Sequence, residues 1–225
     1  MKLPKLLVIV PAVLISSIAV AQQTYVDPGG SVNLIYSKKA PSEPAQGTQY
    51  FIEAFSPAKV DGSKDISVVR YNAYSDELEV KVNEEIMVLQ PKADQVIRLT
   101  NGRAAYQYTE YSNKENVGSQ HYLLLVSENP NLKIFKKERI YLQPEEHPSG
   151  GYQKYKAPMY KKADTEYYIQ KNNGQVTYMS TKKKDILALV PGKENEIKNF
   201  MKENSISTSD DEDLKKLGAF LNSLL

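Results

Sequence analysis

The sequence predicts a mainly β fold of the α+β class, in which an antiparallel meander curls into a roll or half-barrel and about three short C-terminal helices pack on it. Three observations predict it. Apolar and charged residues alternate over 77–82, so that one face of this segment is apolar. Turn sequences separate similar short runs about every ten residues, which is typical of consecutive antiparallel strands. Near the C terminus the apolar spacing lengthens to that of amphipathic helices.

The N-terminal residues have the composition of a secretory signal peptide. Lys2 and Lys5 precede an apolar run over 6–20, which small residues close at Ala21. A positive start, a short apolar run and small residues before the cleavage site are the features of such peptides. The run is shorter than a membrane span, which needs about 20 apolar residues. We therefore predict export to the periplasm or the extracellular space, with cleavage between Ala21 and Gln22 and no retained transmembrane helix; a retained membrane anchor is the alternative.

Shifts in composition divide the chain into four segments. The signal peptide is followed by a polar segment that ends in a linker, because Pro and Gly are frequent there. An antiparallel β domain and a helical tail packed on that domain complete the chain. The predicted bounds are 1–21, 22–48, 49–180 and 181–225, in that order.

Short apolar or alternating runs within the β domain predict its strands. The sequences Asn-Gly at 101–102 and Asn-Asn-Gly at 172–174 are expected to form hairpin turns, because Asn and Gly tolerate a positive φ. Glu-Asn-Pro-Asn at 128–131 predicts another turn. The predicted strands are 49–55, 66–74, 77–82, 86–89, 95–99, 104–111, 121–127, 132–142, 166–170 and 175–179.

The tail predicts three helices, over 185–190, 194–202 and 210–224. Ser209 and Glu212 match the capping box that begins many helices. Four leucines fall on one face of the last helix, and we interpret this stripe as the seam that holds the tail to the sheet, with a partner-binding surface as the alternative. They are Leu214, Leu217, Leu221 and Leu224.

The composition excludes several classes of protein. The chain contains no Cys, which excludes disulfides, thiolate metal sites and a cysteine nucleophile. Its 29 basic and 27 acidic residues nearly balance, whereas a nucleic-acid-binding protein needs a strongly basic face. The motifs of zinc proteases, α/β-hydrolases and phosphate-binding loops are missing. We therefore predict no catalytic residue, no metal, no cofactor and no nucleic-acid partner.

A strand arginine, Arg70, is a candidate ligand-binding residue. The predicted hairpin places its strand beside the strand that holds Glu77 and Glu79. One interpretation is a cross-strand ion pair with either carboxylate, which at an exposed position is worth at most about 1 kcal/mol. The other interpretation is that Arg70 binds an anionic ligand inside the curved sheet.

The tyrosines supply the other candidates. The chain has 16 Tyr, five Phe and no Trp. Tyr106 and Tyr108 share one face of a predicted strand, with Tyr111 on the other face, and Tyr71 directly follows Arg70. Because an aromatic, hydroxyl-rich sheet can stack on sugar rings or on a partner peptide, we predict Tyr71, Tyr106 and Tyr108 as ligand-binding residues. The alternative is that the tyrosines form a ladder that covers a partly solvent-exposed face of the sheet.

The loop over 145–151 holds a cluster of acidic residues and a histidine, Glu145, Glu146 and His147. Carboxylates beside an imidazole bind a divalent metal or orient a general base. The sequence names no further ligand, so a solvated acidic loop is the alternative. The other histidine, His121, opens a predicted strand and is interpreted as a structural residue.

Two parts of the sequence carry a resemblance to a family. The segment 69–80 pairs Arg-Tyr-Asn with Asp-Glu-Leu-Glu, and Leu89 follows it. Near the C terminus, Tyr-Tyr at 167–168 and Lys-Lys-Lys-Asp at 182–185 precede an acidic helix. Over 47–225 the chain resembles an uncharacterised family of exported β-rich proteins from Bacteroidota bacteria, with a helical C-terminal tail. The resemblance implies export and that fold, and it carries over no catalytic residue.

These observations predict an exported cell-envelope protein that acts as a non-catalytic binding or interaction module. Its partner would be an envelope protein or a small envelope ligand. One alternative is an envelope hydrolase that uses the carboxylates near Glu145 and His147. Another is a half-barrel carrier of lipid or lipoprotein, which needs an apolar lining that tyrosine-rich strands supply poorly.

Overall fold

Antiparallel strands make up most of the regular structure in the computed structural model, which describes residues 25–26, 34–40, 42, 44–148, 150 and 154–225. The predicted signal peptide and its cleavage site lie outside these residues. The described strands are β1 Tyr25–Val26, β2 Ile35–Lys38, β3 Ser56–Val60, β4 Ile66–Asn72, β5 Glu77–Val82, β6 Glu85–Leu89, β7 Val96–Leu99, β8 Ala105–Ser112, β9 Gly118–Glu128, β10 Leu132–Lys137, β11 Ile140–Gln143, β12 Met159–Lys162, β13 Glu166–Lys171 and β14 Val176–Met179. The described helices are α1 Lys183–Leu187, α2 Glu194–Glu203 and α3 Asp211–Ser223. The predicted mainly β class with three C-terminal helices is confirmed.

Twelve of these strands form one sheet in the order β1-β2-β6-β5-β4-β3-β7-β8-β14-β13-β10-β9, and β9 also pairs with β8. Together with the pairing of β14 with β8, this pairing closes β8, β9, β10, β13 and β14 into a five-stranded barrel, while β1 to β7 extend from β8 as an open wing. The described pairs are antiparallel except β14 with β8, which run parallel and pair at Val176–Tyr111 and Thr177–Ser112. Strands β11 and β12 form a separate two-stranded sheet.

The interior of the barrel is filled by side chains. Each of its five strands contributes one buried residue to a single cluster, as expected for a small barrel. The residues are Tyr111, Leu123, Phe135, Tyr168 and Val176. The rings of Tyr111 and Tyr168 meet edge to face with their centroids 4.6 Å apart. The barrel is therefore a packed core at this level, and its strands are held rigidly.

The wing has its own core on one face of the sheet. Leu78 and Val80 of β5 are buried opposite Tyr71 and Val69 of β4, as the alternation of the sequence predicts. The predicted hairpin turns also form. Gly102 has a φ of +71° in the turn between β7 and β8, and the turn at 172–174 joins β13 to β14.

The prediction of a strand over 49–55 is wrong. No strand is assigned between β2 and β3 in the described residues, and this segment instead crosses over the sheet. The rings of Tyr50 and Phe55 lie on the guanidinium of Arg70, with its Cζ 3.8 Å and 4.3 Å from their centroids. The apolar and aromatic residues of this segment therefore cover a sheet face, so that their alternation does not reflect strand pairing.

Within the predicted β domain two strands, β3 and β12, were not predicted, and one predicted strand is divided; β1 and β2 lie before that domain, in the segment predicted to be polar. Pro57 lies inside β3, and a proline weakens the sequence signal of a strand. Strand β12 is short and ends in Lys161-Lys162, but it pairs with β11 along its whole length. The predicted strand 132–142 breaks at residues 138–139, and its second part leaves the barrel as β11.

The three helices pack as the leucine stripe predicts. Leu214, Leu217 and Leu221 are fully buried in a cluster with residues of β10 and β13. The predicted capping box is wrong in its first residue, because the carboxylate of Asp210 caps α3 by accepting a hydrogen bond from the N–H of Asp213 at 3.0 Å. Within the described residues, no helix has the length and apolar character needed to cross a membrane.

Helix α3 lies so close to β9 and β10 that one of its positions requires glycine. A Cβ atom added at Gly218 would lie 2.3 Å from Ser127 Oγ and 3.2 Å from Ile134 Cδ1. Both side chains belong to packed strands, and Ile134 is fully buried. The seam between the tail and the barrel therefore depends on the missing side chain.

We expect Gly218→Ala to lower the free energy of unfolding by about 1–3 kcal/mol, because the added methyl group overpacks the seam. This sign is opposite to the preference of a helix interior for Ala over Gly, which is about 1 kcal/mol. Urea unfolding followed by circular dichroism measures the change, with the exposed Lys215→Ala in the same helix as the control. A variant as stable as the wild type would contradict the close approach.

Candidate functional site

Arg70 pairs across the sheet with a buried carboxylate. The register of β4 and β5 places Arg70 opposite Glu79, and Arg70 Nε and Nη2 donate to Glu79 Oε2 at 3.1 Å and 2.6 Å. The pair predicted from the sequence therefore forms with Glu79 and not with Glu77. The side chain of Glu79 is fully buried, so the pair is not the exposed ion pair that the sequence suggested.

Glu79 is surrounded by further donors. Lys39 Nζ, Tyr50 Oη and Asn72 Nδ2 all donate to Oε1, the last two at 2.9 Å and 3.0 Å. Burial works to raise the pKa of Glu79, but the hydrogen bonds from Lys39, Arg70 and their neighbours outweigh it and hold that pKa below its ordinary value. The carboxylate is therefore ionised and satisfied inside the fold.

Each of the three nitrogens of the Arg70 guanidinium likewise donates a hydrogen bond. Beyond Glu79 and the two aromatic rings, Nη1 donates to the backbone carbonyl of Glu53 at 3.0 Å and Nη2 to Tyr50 Oη at 3.0 Å. An anionic ligand would have to displace these contacts. The geometry thus supports a structural role for Arg70, which fastens the segment 49–55 over the sheet.

The predicted tyrosines lie together, but they pack against one another. Tyr71 and Tyr106 are buried with their ring centroids 4.9 Å apart, and Tyr108 lies 5.0 Å from Tyr122. Tyr106 and Tyr108 face the core of the wing whereas Tyr111 faces the barrel, as the sequence predicts. The depression beside these rings has a volume of about 10 Å³, which is too small for a ligand. The geometry therefore favours the interpretation that these tyrosines cover a face of the sheet over the interpretation that they bind a ligand.

A second carboxylate, that of Asp76, is half-buried and joins the wing to the barrel. Asp76 lies in the turn between β4 and β5 with a φ of +57°. Its Oδ1 accepts hydrogen bonds from Tyr71 Oη at 2.6 Å and from Lys137 Nζ at 3.1 Å. Its Oδ2 lies 2.6 Å from Nδ1 of His121. Tyr71 belongs to the wing, whereas Lys137 and His121 belong to the barrel.

Asp76 and Lys137 stabilise each other's charged forms. Burial works to raise the pKa of Asp76, but the hydrogen bond from His121 and the charge of Lys137 outweigh it and lower that pKa. Burial lowers the pKa of Lys137, and Asp76 opposes this change. Because the Lys137 side chain is only 5% exposed, its ammonium group depends on Asp76 for a counter-charge.

His121 is held in one orientation by this carboxylate, which agrees with its interpretation as a structural residue. Its side chain is 42% exposed, and its ring lies 6.0 Å from the ring of Tyr111. Among the described residues, no serine or threonine hydroxyl hydrogen-bonds its Nε2. The pair with Asp76 therefore lacks the nucleophile of a hydrolytic triad.

An open cleft lies beside the parallel pairing of the barrel, with a volume of about 950 Å³. The described side chains that line it include amides, hydroxyls and two carboxylates, and none is Lys, Arg or His. The lining residues are Ala93, Asp94, Thr109, Glu110, Tyr111, Gly118, Ser119, Gln120, Gln170, Asn173, Gly174, Gln175 and Val176.

Strand pairing explains why the cleft opens here. Strand β8 pairs with β7 over residues 105–107 and with β14 over residues 111–112, on the same edge. Tyr108 still exchanges backbone hydrogen bonds with residues 94–95 on that edge, so only residues 109–110 lie between these contacts without a strand partner there. The hairpin of β13 and β14 diverges from β8 at this point, which leaves a cleft between them.

The cluster at 145–147 is exposed. Glu145 Oε1 lies 3.2 Å from His147 Nε2, while Glu146 pairs instead with Lys156 at 2.7 Å. Hydrogen bonds from Tyr155 and His147 lower the pKa of Glu145, which makes it a weaker base. Across the residues that the structure describes, no three His, Asp or Glu side chains group so that they could hold a metal ion. The geometry supports the interpretation as a solvated loop.

Comparison of the chain with protein-family models, with curated proteins and with solved structures found no match. The resemblance to the Bacteroidota family therefore stays a prediction.

The cleft was not predicted from the sequence. Its residues come from three separate parts of the chain, and polar residues such as Gln120 and Gln175 resemble ordinary solvent-facing strand residues. The nearest sequence signal is the Asn-Asn-Gly turn at 172–174, which predicts the hairpin and not its distance from β8. The pairing of β14 with β8 brings these parts together.

We expect Asp76→Ala to lower the free energy of unfolding by about 3–5 kcal/mol, because it leaves the ammonium of Lys137 buried without a partner. Adding Lys137→Met should recover much of this loss, since an apolar side chain carries no buried charge. Guanidinium unfolding at pH 7 measures both variants, with the exposed Asp65→Ala as the control. Equal losses in the single and the double variant would show that the buried charge is not the cause.

The free energy of unfolding should fall in acid because of Asp76 and Glu79. Both carboxyls have pKa values below their ordinary ones in the folded protein. Their contribution is therefore complete above about pH 4, the ordinary carboxyl pKa, and it is lost as the pH falls through the folded pKa values. Denaturant unfolding between pH 7 and pH 2 measures this slope. Glu79→Gln should flatten the slope, whereas the exposed Glu115→Gln should not; equal slopes would contradict the assignment.

Proposed function

We propose that the protein is an exported binding module that holds a small polar ligand in the cleft beside the barrel. The observation that carries this proposal is the cleft itself, an open concavity of about 950 Å³ walled by hydrogen-bonding side chains. Pockets for small ligands have volumes of about 300–1,000 Å³.

The walls of the cleft are held in place before any ligand binds. Most of them belong to β8, β9 and the β13–β14 hairpin, whose strands share the packed interior of the barrel, while Ala93 and Asp94 come from the loop before β7. Gln175 Nε2 donates to Ser112 Oγ at 2.7 Å, which fixes the hairpin to β8 at the rim. A preformed site avoids the entropy cost of ordering loops on binding.

The chemistry of the lining limits the class of ligand. Because the described lining has two carboxylates, Asp94 and Glu110, and no cationic side chain, it disfavours phosphates and anionic lipids. Its polar groups also disfavour an acyl chain, and the interior of the barrel is filled. These observations do not support the lipid-carrier alternative. The exposure of Glu145 and His147 gives the hydrolase alternative no enclosed site either.

Gly118→Trp should abolish ligand binding without unfolding the protein. A Cβ at Gly118 would meet open space, and Gly118 lines the cleft, so the indole of a tryptophan there would occupy space that a ligand needs. Thermal shift and calorimetry against panels of saccharides, nucleotides, peptides and fatty acids measure binding; a ligand at 100 times its Kd stabilises the protein by about 2.7 kcal/mol.

Gly150→Trp is the matched control, because a Cβ there also meets open space but lies outside the cleft. It should bind as the wild type does. A ligand that still binds Gly118→Trp with full affinity would place the site elsewhere, and the absence of binding by any class in these panels would overturn the proposed function.

Export is supported by the sequence alone, and we expect the exported protein to begin at Gln22. Cells that express the full chain are fractionated, and the N terminus of the protein recovered from the periplasm or the medium is sequenced. Ala21→Arg removes the small residue before the cleavage site and should block processing. An uncut wild-type chain that stays with the membrane would support the retained anchor instead.

A further inference from the structure

We infer that the ligand of the cleft is an organic cation, which places an ammonium or guanidinium group against the carboxylates of Asp94 and Glu110. This inference rests on the proposed function, because it names the ligand class of the same site. Two features of the cleft support it: the two carboxylates have no counter-charge within the described residues, and a buried acceptor beside Asp94 has no donor there.

The two carboxylates lie along one stretch of β8. The backbone N–H of Asp94 donates to the carbonyl of Tyr108 at 2.7 Å, which holds the loop before β7 against this strand. Glu110 follows Tyr108 by two residues on the same strand, and both acidic residues line the cleft. The cleft therefore has two negative charges on one of its walls.

Neither carboxylate has a cationic partner among the described residues. The ion pairs of that part of the chain include neither Asp94 nor Glu110. The exposed Lys92, two residues before Asp94, forms none of these pairs either, and the described lining has no Lys, Arg or His. Charges of one sign within a cleft concentrate ligands of the opposite charge there.

The contacts that Asp94 makes inside the protein leave its charge unbalanced. Its Oδ1 accepts hydrogen bonds from Gln107 Nε2 and from Thr109 Oγ1, both at 3.3 Å. Both donors are neutral groups, and this distance exceeds the usual range of such bonds, about 2.7–3.2 Å. These bonds orient the carboxylate and supply no positive charge.

A buried acceptor beside Asp94 has no donor. Gln107 is only 4% exposed, and its Oε1 accepts no hydrogen bond from the described residues. Because Oε1 belongs to the same amide group as Nε2, it lies beside the carboxylate of Asp94. A buried carbonyl without a donor is unfavourable. An ammonium group against Asp94 brings up to three N–H donors to this place, and a guanidinium brings five.

Other ligand classes leave one of these features unanswered. A neutral saccharide or a peptide backbone supplies hydrogen bonds but no positive charge for Asp94 and Glu110. A bare metal ion is disfavoured, since no three His, Asp or Glu side chains group among the described residues and the cleft of about 950 Å³ is far larger than an ion. An organic cation pairs with the carboxylates, while the rest of the molecule reaches the amides of Gln170 and Gln175 in the lining.

Calorimetry tests the inference with the purified protein and defined amines, namely spermidine, cadaverine and capped peptides that contain lysine or arginine. Pentanediol, in which hydroxyls replace the amines of cadaverine, is the neutral control, and calcium chloride tests a metal ion alone. We expect an amine to bind and both controls not to bind. The Kd of the amine should rise several-fold at high salt, because salt screens the carboxylates.

Variants of the two carboxylates test the site itself. Asp94→Asn and Glu110→Gln each remove one charge at nearly constant size, and each should raise the Kd of the amine by about tenfold or more. Asn also tolerates the φ of +59° at position 94. Gln107→Met should weaken binding as well, since it removes the buried acceptor. Glu115→Gln removes the same charge outside the cleft and should leave Kd unchanged, and thermal unfolding without ligand checks that each variant is folded.

The outcomes separate the two proposals. Amine binding that Asp94→Asn and Glu110→Gln weaken supports the inference, and the tighter of the free amines and the peptides identifies the source of the cation. Amine binding that both variants leave intact, or that Glu115→Gln weakens equally, would overturn it. A neutral ligand or calcium that binds in place of the amines, and that Gly118→Trp excludes, would overturn the organic cation and leave the binding module standing. Failure of every class to bind would overturn both.

Discussion

The carboxylate of Asp76 binds side chains from both halves of the sheet and thereby adds to the β7–β8 pairing that joins them. It binds Tyr71 of the wing, and it binds His121 and Lys137 of the barrel. Its position in a tight turn lets one short side chain reach all three groups. Since Lys137 is buried, the pair has to form for the ammonium to be tolerated there. The closed barrel and the open wing are thereby held in one arrangement.

The polar groups of this protein divide into two sets with different roles. Asp76, Glu79 and Arg70 are buried or covered, and their hydrogen-bonding capacity is taken up by their neighbours. The acceptors of the cleft, such as those of Glu110 and Gln175, lie at the surface and lack donors among the described residues. The first set stabilises the scaffold and the second set is free for a ligand. Arg70 belongs to the first set and lies outside the cleft.

Sequence patterns predicted correctly the elements that depend on interactions between residues near one another along the chain. They failed for elements that depend on packing between distant parts of the chain. The alternation of β5, the Asn-Gly turn at 101–102 and the leucine stripe of α3 all form as predicted. The strand over 49–55 is wrong because its aromatic rings cover Arg70, an interaction that no local pattern reveals. Ser209 was a plausible cap, but the carboxylate of Asp210 one residue later takes that role. From the sequence, the partner of Arg70 could be predicted only as Glu77 or Glu79. The strand register places Glu79 opposite Arg70.

By itself the sequence determined the mainly β class, the hairpins and the amphipathic tail, because period, turn residues and apolar faces depend on neighbours along the chain. It also determined the absence of cysteine chemistry. The tertiary structure alone decided that the roll closes and where the cleft lies. Both follow from the parallel pairing of Val176 with Tyr111, two residues that are distant in sequence. The tertiary structure also decides which polar side chains have hydrogen-bond partners within the protein. The sequence cannot show this, because the same residue types occur in both sets.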